Sequence, residues 1–398
     1  MSEFKMSLPD DVRFIIDRMN SHGYAAHVVG GSVRDSFIGR ELGDFDITTN
    51  ALPEQTKAVF ADYKTVDTGI KHGTVTLVVH GVPYEITTYR VDGDYKDNRH
   101  PDSVSFTASL EEDLKRRDFT VNAMAYDPCS GLIDLFGGCD DADNRLIRAV
   151  GDPYLRFDED ALRILRALRF ASVLGFDIED KTAEAARALS MHLESISKER
   201  IYTELKKLIS GTAALKIIGE YRDVLSVALG GFEIEKLPAG ERFDAADYLT
   251  RLASLIWMNS DDPVCEAECI LGMLKTDKLT RTYITSVFKA YDSVSFASEH
   301  AALCALANYG KESVEGALRL GILTERFADS DAQALASAIS SGVPYMISQL
   351  DVRGTDLFAI GISGEKIGQM LKSLLFAVID GKVENQKSSL VDYARSLA

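Results

Sequence analysis

Gly30-Gly31-Ser32-Val33-Arg34-Asp35, followed nine residues later by Asp44-Phe45-Asp46, decides the reading of this chain. The apolar run Ala25-Ala26-His27-Val28-Val29 predicts a short buried strand, and the glycine pair lets the backbone turn tightly and approach a ligand. Ser32-Val33-Arg34-Asp35 opens a helix, so backbone N–H groups and a guanidinium converge where an anion can sit. Asp44-Phe45-Asp46-Ile47-Thr48 predicts a second strand, with Asp44 and Asp46 on one face and Phe45 and Ile47 turned into the core. Neighbouring carboxylates repel unless a cation lies between them, and hard oxygen donors suit Mg²⁺. Either half alone reads more simply as a glycine turn or as two solvated aspartates. Side by side, a phosphate cradle and metal-binding carboxylates are the equipment of phosphoryl transfer.

A length of 398 residues implies two to four domains, and 46% hydrophobic with 26% charged residues is globular composition. No apolar run is long enough to span a bilayer, and Met1-Ser2-Glu3-Phe4-Lys5 opens no signal peptide, so no membrane partner is expected. Cys129, Cys139, Cys265, Cys269 and Cys304 are scattered and odd in number, which fits a reducing cytoplasm. Cys265 and Cys269 stand one helical turn apart without a second ligand pair, and are expected to be core thiols. The net charge of −17 argues against a sequence-indifferent polyanion binder, and no DNA partner is expected. A local basic groove can still hold one particular nucleic acid.

Residues 1–150 mix helices with β-rich runs. Asp11–Met19 has helical period and is closed by Gly23, and Asn50 is placed to cap the helix Pro53–Phe60. Gly73–Val79 and Tyr84–Tyr89 predict a hairpin through His80-Gly81-Val82-Pro83. About five strands with flanking helices make a small α/β palm. Beyond it, helical periodicity takes over in segments 151–215, 216–340 and 341–398, with breaks at Gly230-Gly231, Pro238-Ala239-Gly240, Asp261-Asp262-Pro263 and Ser340–Pro344.

Glu85 lies within a predicted strand, where a carboxylate is costly unless paired. It reads either as a third acid beside Asp44 and Asp46, binding metal or accepting a hydroxyl proton, or as an edge-strand residue facing water. Arg116-Arg117-Asp118-Phe119-Thr120-Val121-Asn122 offers two guanidiniums suited to phosphate, with Asn122 able to orient a hydroxyl or carboxylate. Asp160, Arg163, Arg166 and Arg169 recur every three residues, which puts them on a drifting stripe of one helix. Cytosine and adenine both present an amino donor beside a ring-nitrogen acceptor. A carboxylate and a guanidinium one turn apart match that edge and reject guanine and uracil, although a solvated basic face explains the same stripe.

These segments resemble one family, the bacterial CCA-adding tRNA nucleotidyltransferases, of the type shared with bacterial poly(A) polymerases. The resemblance is carried by Gly30–Asp35 with Asp44 and Asp46, the loop Gly93–Asp102, Arg116–Met124, Glu159–Arg169 and Lys198–Leu205, with Thr68–Val75 pointing to the CCA-adding branch. It covers roughly residues 20–210 in order. It implies an α/β nucleotidyltransferase palm (head, 1–150), then an all-α neck (151–215), body (216–340) and tail (341–398) in an elongated, seahorse-like architecture. It further implies Mg²⁺ on Asp44 and Asp46, with Glu85 as a third catalytic carboxylate. The triphosphate would lie on Gly31 and Arg34, with Gly30, Arg116 and Asn122 as further candidates. Arg117 would contact the nucleotide, Asp160 and Arg163 would read the base of CTP or ATP, and Arg166 and Arg169 would support it. The implied partner is the tRNA 3′ end, with tRNA lying along the helical part, and the loop Gly93–Asp102 would adjust the pocket between C and A.

Rivals share the head chemistry. A poly(A) polymerase would add long adenylate tails, and a CC-adding enzyme would stop before A. An enzyme nucleotidylating a small molecule would leave the helical half without a purpose. A non-catalytic RNA-binding module would have no need of metal carboxylates.

Overall fold

The computed structural model describes residues 4–92 and 104–397, so the loop 93–102 lies outside the described residues. The chain divides into two compact units, Met1–Glu233 and Ile234–Ala398.

In the first unit the strands are β1 (Ala26–Val29), β2 (Asp46–Thr49), β3 (Lys64–Gly69), β4 (Thr74–Val79), β5 (Val82–Thr88), β6 (Arg90–Asp92), β7 (Val104–Phe106), β8 (Met124–Asp127) and β9 (Gly131–Asp134), with β10 (Leu146–Ile147) and β11 (Asp177–Ile178) forming a separate parallel pair. Seven of them form one sheet in the order β3-β4-β5-β2-β1-β8-β9, and β6 pairs with β7 alone. The sheet exceeds the expected five because the short, half-polar edge strands β3 and β9 carry no buried alternation. The β4–β5 hairpin closes through His80 and Gly81, with φ of 48° and 85°, the left-handed pair that matches strand twist. The helices of this unit that bear on the argument are α1 (Asp10–Ser21), α2 (Gly31–Phe37), α3 (Pro53–Val59), α4 (Leu110–Lys115), α5 (Gly138–Asp143), α6 (Pro153–Glu159), α7 (Leu162–Leu174), α8 (Asp180–Ala188) and α9 (Lys198–Ile209).

Alternation decides which face of the sheet is dry. Val12, Ile15, Ile16 and Met19 of α1 are fully buried against Val28, Ile47, Leu77 and Ile86. Each such side chain contributes roughly 1.5–3 kcal/mol of burial. The intervening residues, among them Asp46 and Glu85, point to the other face. There a smaller cluster of Val29, Leu114, Ala123, Ala125 and Val150 closes only one end.

Four expectations are corrected. The strand starts at Asp46, so Asp44 precedes it on irregular backbone, and Phe45 is only half-buried at the core margin. Glu85 stands on an interior strand between β4 and β2, exposed on its face, so it is neither buried nor at an edge. The Asn50 side chain accepts from Ala25 N at 2.9 Å and ties β1 to β2, while Gln55 Oε1 accepts from Leu52 N at 2.8 Å at the start of α3. Asp160 lies in the break between α6 and α7 with φ −140°, outside the helix that carries Arg163, Arg166 and Arg169. The interval of three residues misled because a capping residue also falls one turn before its helix.

The second unit has no strand among its described residues. Asp247, Asp262, Asp277 and Ser298 cap successive helices by accepting first-turn N–H groups. Trp257 packs on Phe288 and Tyr291 at centroid distances of 5.3 and 4.2 Å. Cys265 and Cys269 are exposed, contrary to the expected core thiols. Among the described residues no helix is long and apolar enough to cross a membrane.

Candidate active site

Gly30 ends β1 with φ 77° and ψ −132°, which L side chains rarely adopt, and a Cβ there would come within 3.2 Å of Arg117 Nη1. The turn is therefore open to that guanidinium, and α2 starts at Gly31 directly beside it. Parallel pairing of β2 with β5 sets Asp46 opposite Glu85, although the two are far apart in sequence. Partial desolvation raises the Asp46 carboxyl above its ordinary value; Arg117 opposes this, and Glu85 and Asp44 raise it further. Like charges are thus crowded at this end of the sheet. Among the described residues no three metal-ligating side chains converge on a point. Two carboxylates with water and phosphate oxygens are nevertheless a donor set that Mg²⁺ accepts, and Asp44 and Asp46 fit it.

Arg116 and Arg117 follow α4 and share one anchor. Asp113, fully buried, holds Arg116 at 2.8 Å and Arg117 at 3.4 Å, and accepts from Thr48 Oγ1 at 3.2 Å. Burial opposes its ionisation, yet the two guanidiniums keep its carboxyl below the ordinary range. A second chain of contacts runs from Arg34 through Asn122 to Asp118 and Arg166. Arg34 Nη1 donates to Asn122 Oδ1, Asn122 Nδ2 donates to Asp118 Oδ1 at 3.1 Å, and Arg166 Nε donates to Asp118 Oδ2 at 2.8 Å. Burial would raise the Asp118 carboxyl, but Arg166 and Asn122 outweigh it and bring it to about 2.

The helical wall is equally paired. Asp160 Oδ1 accepts from Leu162 N at 3.1 Å, capping α7, and Oδ2 accepts from Arg200 on α9 at 3.1 Å. Arg163 donates to Glu159 at 2.8 Å and to the Arg116 carbonyl at 3.1 Å, which ties α7 to the loop after α4. Arg169 meets Glu204 at 3.1 Å and stacks on Phe170 at 3.9 Å, and the same ring has Arg34 at 5.2 Å and Arg166 at 5.4 Å.

These parts line one cleft of about 670 Å³. Of the expected residues, Gly30, Gly31, Arg34, Asp46, Arg116, Arg117, Asn122, Asp160, Arg163 and Arg166 line it, whereas Asp44, Glu85 and Arg169 do not. Sequence reasoning missed Asp113 and Phe170, placed Arg200 only within the resembling segment Lys198–Leu205, and gave no role to Asp118, His72 and Arg90. Asp118 was legible within Arg116-Arg117-Asp118; Phe170, four residues after Arg166, was legible as a helical neighbour. Seven arginines against three aspartates line the cleft, the reverse of the chain's overall charge of −17. Such a lining suits a polyphosphate, and a carboxylate–guanidinium edge at its far wall suits a base that donates and accepts side by side.

Residues 26–148 match the family described as "Poly A polymerase head domain", residues 175–223 "Probable RNA and SrmB- binding site of polymerase A", and residues 251–394 tRNA nucleotidyltransferase domain 2. The chain is 36% identical to the CCA-adding enzyme of Enterococcus faecalis over 99% of this chain and 96% of that protein. It is 38% identical to that of Leuconostoc citreum over 96% and 95%. The crystal structure of the Bacillus stearothermophilus CCA-adding enzyme in complex with CTP superposes with a TM-score of 0.84, at 31% identity and 98% coverage of both chains.

Proposed function

The chain belongs to the CCA-adding enzymes, and we propose that its cleft performs template-independent addition of C, C and A to the 3′ end of tRNA from CTP and ATP. The reaction is an in-line displacement. The tRNA 3′ oxygen bonds to the α-phosphorus, the bond to the β-phosphate oxygen breaks, and pyrophosphate leaves. Asp44 and Asp46 would hold Mg²⁺, and the ion would supply Lewis acidity to the transfer.

The chain's own groups do the rest. Glu85, level with Asp46 in the sheet, takes the proton of the 3′ hydroxyl. Gly31 and Arg34 cradle the triphosphate, and Gly30 leaves room for Arg117 to reach it beside Arg116. Both guanidiniums are oriented by Asp113 before any ligand arrives. Asn122 holds Arg34 in place. Asp160 accepts from the exocyclic amino group and Arg163 donates to the ring nitrogen, so C and A pass and G and U do not. Arg166 and Arg169 support the nucleotide. We assign nucleotidyl transfer to residues 1–150, base reading to 151–215, and the tRNA body to 216–340 and 341–398. With five free cysteines and substrates of the cytoplasm, that is the compartment in which we place the reaction.

One observation carries the reading: Asp46 and the Asp160–Arg163 edge open onto the same cleft. Purified protein with Mg²⁺ and a tRNA lacking its 3′ end should incorporate labelled CMP twice and AMP once. Long adenylate tails would mean a poly(A) polymerase, CMP alone a CC-adding enzyme, and no incorporation an RNA-binding module.

A further inference from the structure

Behind Phe170 lies a second cavity, of about 760 Å³, whose wall includes Arg34 and Phe170 of the nucleotide cleft. Its other cations are Arg40, Arg169, Lys206 and Lys207, and no carboxylate occurs among its lining residues. Tyr202 and Thr212 add hydroxyl groups to the lining, whereas Thr203 and Ser210 donate theirs to the Glu199 and Lys206 carbonyls. Arg34 and Arg169 are matched by Asp35 and Glu204 outside the lining, while Arg40, Lys206 and Lys207 add positive charge with no carboxylate in the lining itself, unusual in a chain of net charge −17. They describe a seat for a multiply charged anion. Two of the cations are already positioned: Arg40 donates to the Val173 carbonyl at 3.0 Å, and the Arg169 guanidinium sits 3.9 Å from the Phe170 ring centroid and pairs with Glu204.

Reaction geometry identifies the anion. In an in-line displacement the attacking and leaving oxygens stand on opposite sides of the phosphorus. With the 3′ hydroxyl arriving at Asp46, pyrophosphate departs toward Arg34, the charged residue that the two cavities share. We propose that the second cavity is a pyrophosphate site, which receives the leaving group past Arg34 and Phe170 while the primer still occupies the front of the cleft. This rests on the nucleotidyl-transfer reading, because only that reaction generates the anion. The same path run backwards admits pyrophosphate for cleavage of a finished 3′ end, with the phosphorus–oxygen bond to tRNA broken and the nucleoside triphosphate re-formed.

The test uses Arg40→Gln and Lys207→Gln, singly and together, since neither residue has a part in the transfer itself. Calorimetric titration with inorganic pyrophosphate should show affinity lowered about tenfold in the double variant, while titration with CTP stays as in the parent. In the same variants, product inhibition by pyrophosphate should weaken and its KM in the reverse reaction should rise about tenfold, with the forward KM for CTP unchanged. Unaltered pyrophosphate affinity overturns the proposal, as does an equal loss for CTP and pyrophosphate. A raised KM for tRNA alone would make the cavity an RNA contact and also overturn it. A folded but inactive parent that binds pyrophosphate through Arg40 and Lys207 would retire the functional reading and leave the anion site standing.

Discussion

The two ends of the nucleotide cleft treat charge in opposite ways. At the sheet end, desolvation raises the Asp46 carboxyl, and Glu85 and Asp44, which lie outside the cleft lining, raise it further. At the helical end every acid has a guanidinium: Asp160 has Arg200, Glu159 has Arg163, and Asp118 has Arg166. The first end is stressed until a cation arrives. The second is neutralised in advance, as befits a surface that meets an uncharged base. The cleft is thus divided between recruiting charge and reading shape.

Removing the stress should abolish chemistry without harming the fold. Asp46→Asn is expected to lower the rate of CMP incorporation by about a thousandfold or more, with a melting temperature equal to or above the parent's because the repulsion is relieved. A clear drop in melting temperature would mean that Asp46 is a structural anchor instead. Supplying the cation should do the converse. Mg²⁺ at about a hundred times its Kd stabilises by about 2.7 kcal/mol, and thermal unfolding should register this in the parent and lose it in Asp46→Asn.

The two ends should also titrate in opposite senses. Asp118 is pulled from 3.8 to about 2, so the native state binds fewer protons than the unfolded chain between those values. Its stabilisation, about 2 kcal/mol, is present above the upper value and lost as pH falls through the lower one. Asp118→Asn should therefore cost about that much at neutral pH, and the deficit should shrink toward zero in strong acid, as urea unfolding at several pH values would show. Asp46 runs the other way: its raised carboxyl makes the native state bind more protons, so its contribution declines as pH rises above the ordinary value of 3.8. The smallest effect is expected from Asp160→Ala. It should reduce discrimination of C and A against G and U by about tenfold and leave Mg²⁺ stabilisation intact. Full discrimination in that variant would remove Asp160 from base reading.

What the sequence disclosed was local. The Gly30-Gly31 turn is legible because turn chemistry acts over a few residues, and alternation placed Asp46 correctly on the face opposite Ile47 while wrongly extending the strand back to Asp44. Asp160 was assigned to a helix it only caps, since spacing alone does not distinguish a helical residue from one just before it. Asp113 was invisible: its role is to hold two arginines that follow it and a threonine on β2, and only the folded chain brings those together. The pairing of Arg200 on α9 with Asp160 leaves no periodic trace, whereas Phe170, one turn after Arg166, was within reach of helical spacing. The edge strand β3 escaped because half-exposed polar strands carry no hydrophobic signature.

The register that sets Asp46 level with Glu85 also dictates where this gene tolerates insertions. A single codon added inside β5 would turn Glu85 toward the dry side and Ile86 toward water, undoing the acid cluster and the core together. The same codon added at the exposed His80-Gly81 tip only lengthens a loop. Insertions are accordingly expected to be tolerated at that tip and not between the hairpin and Glu85.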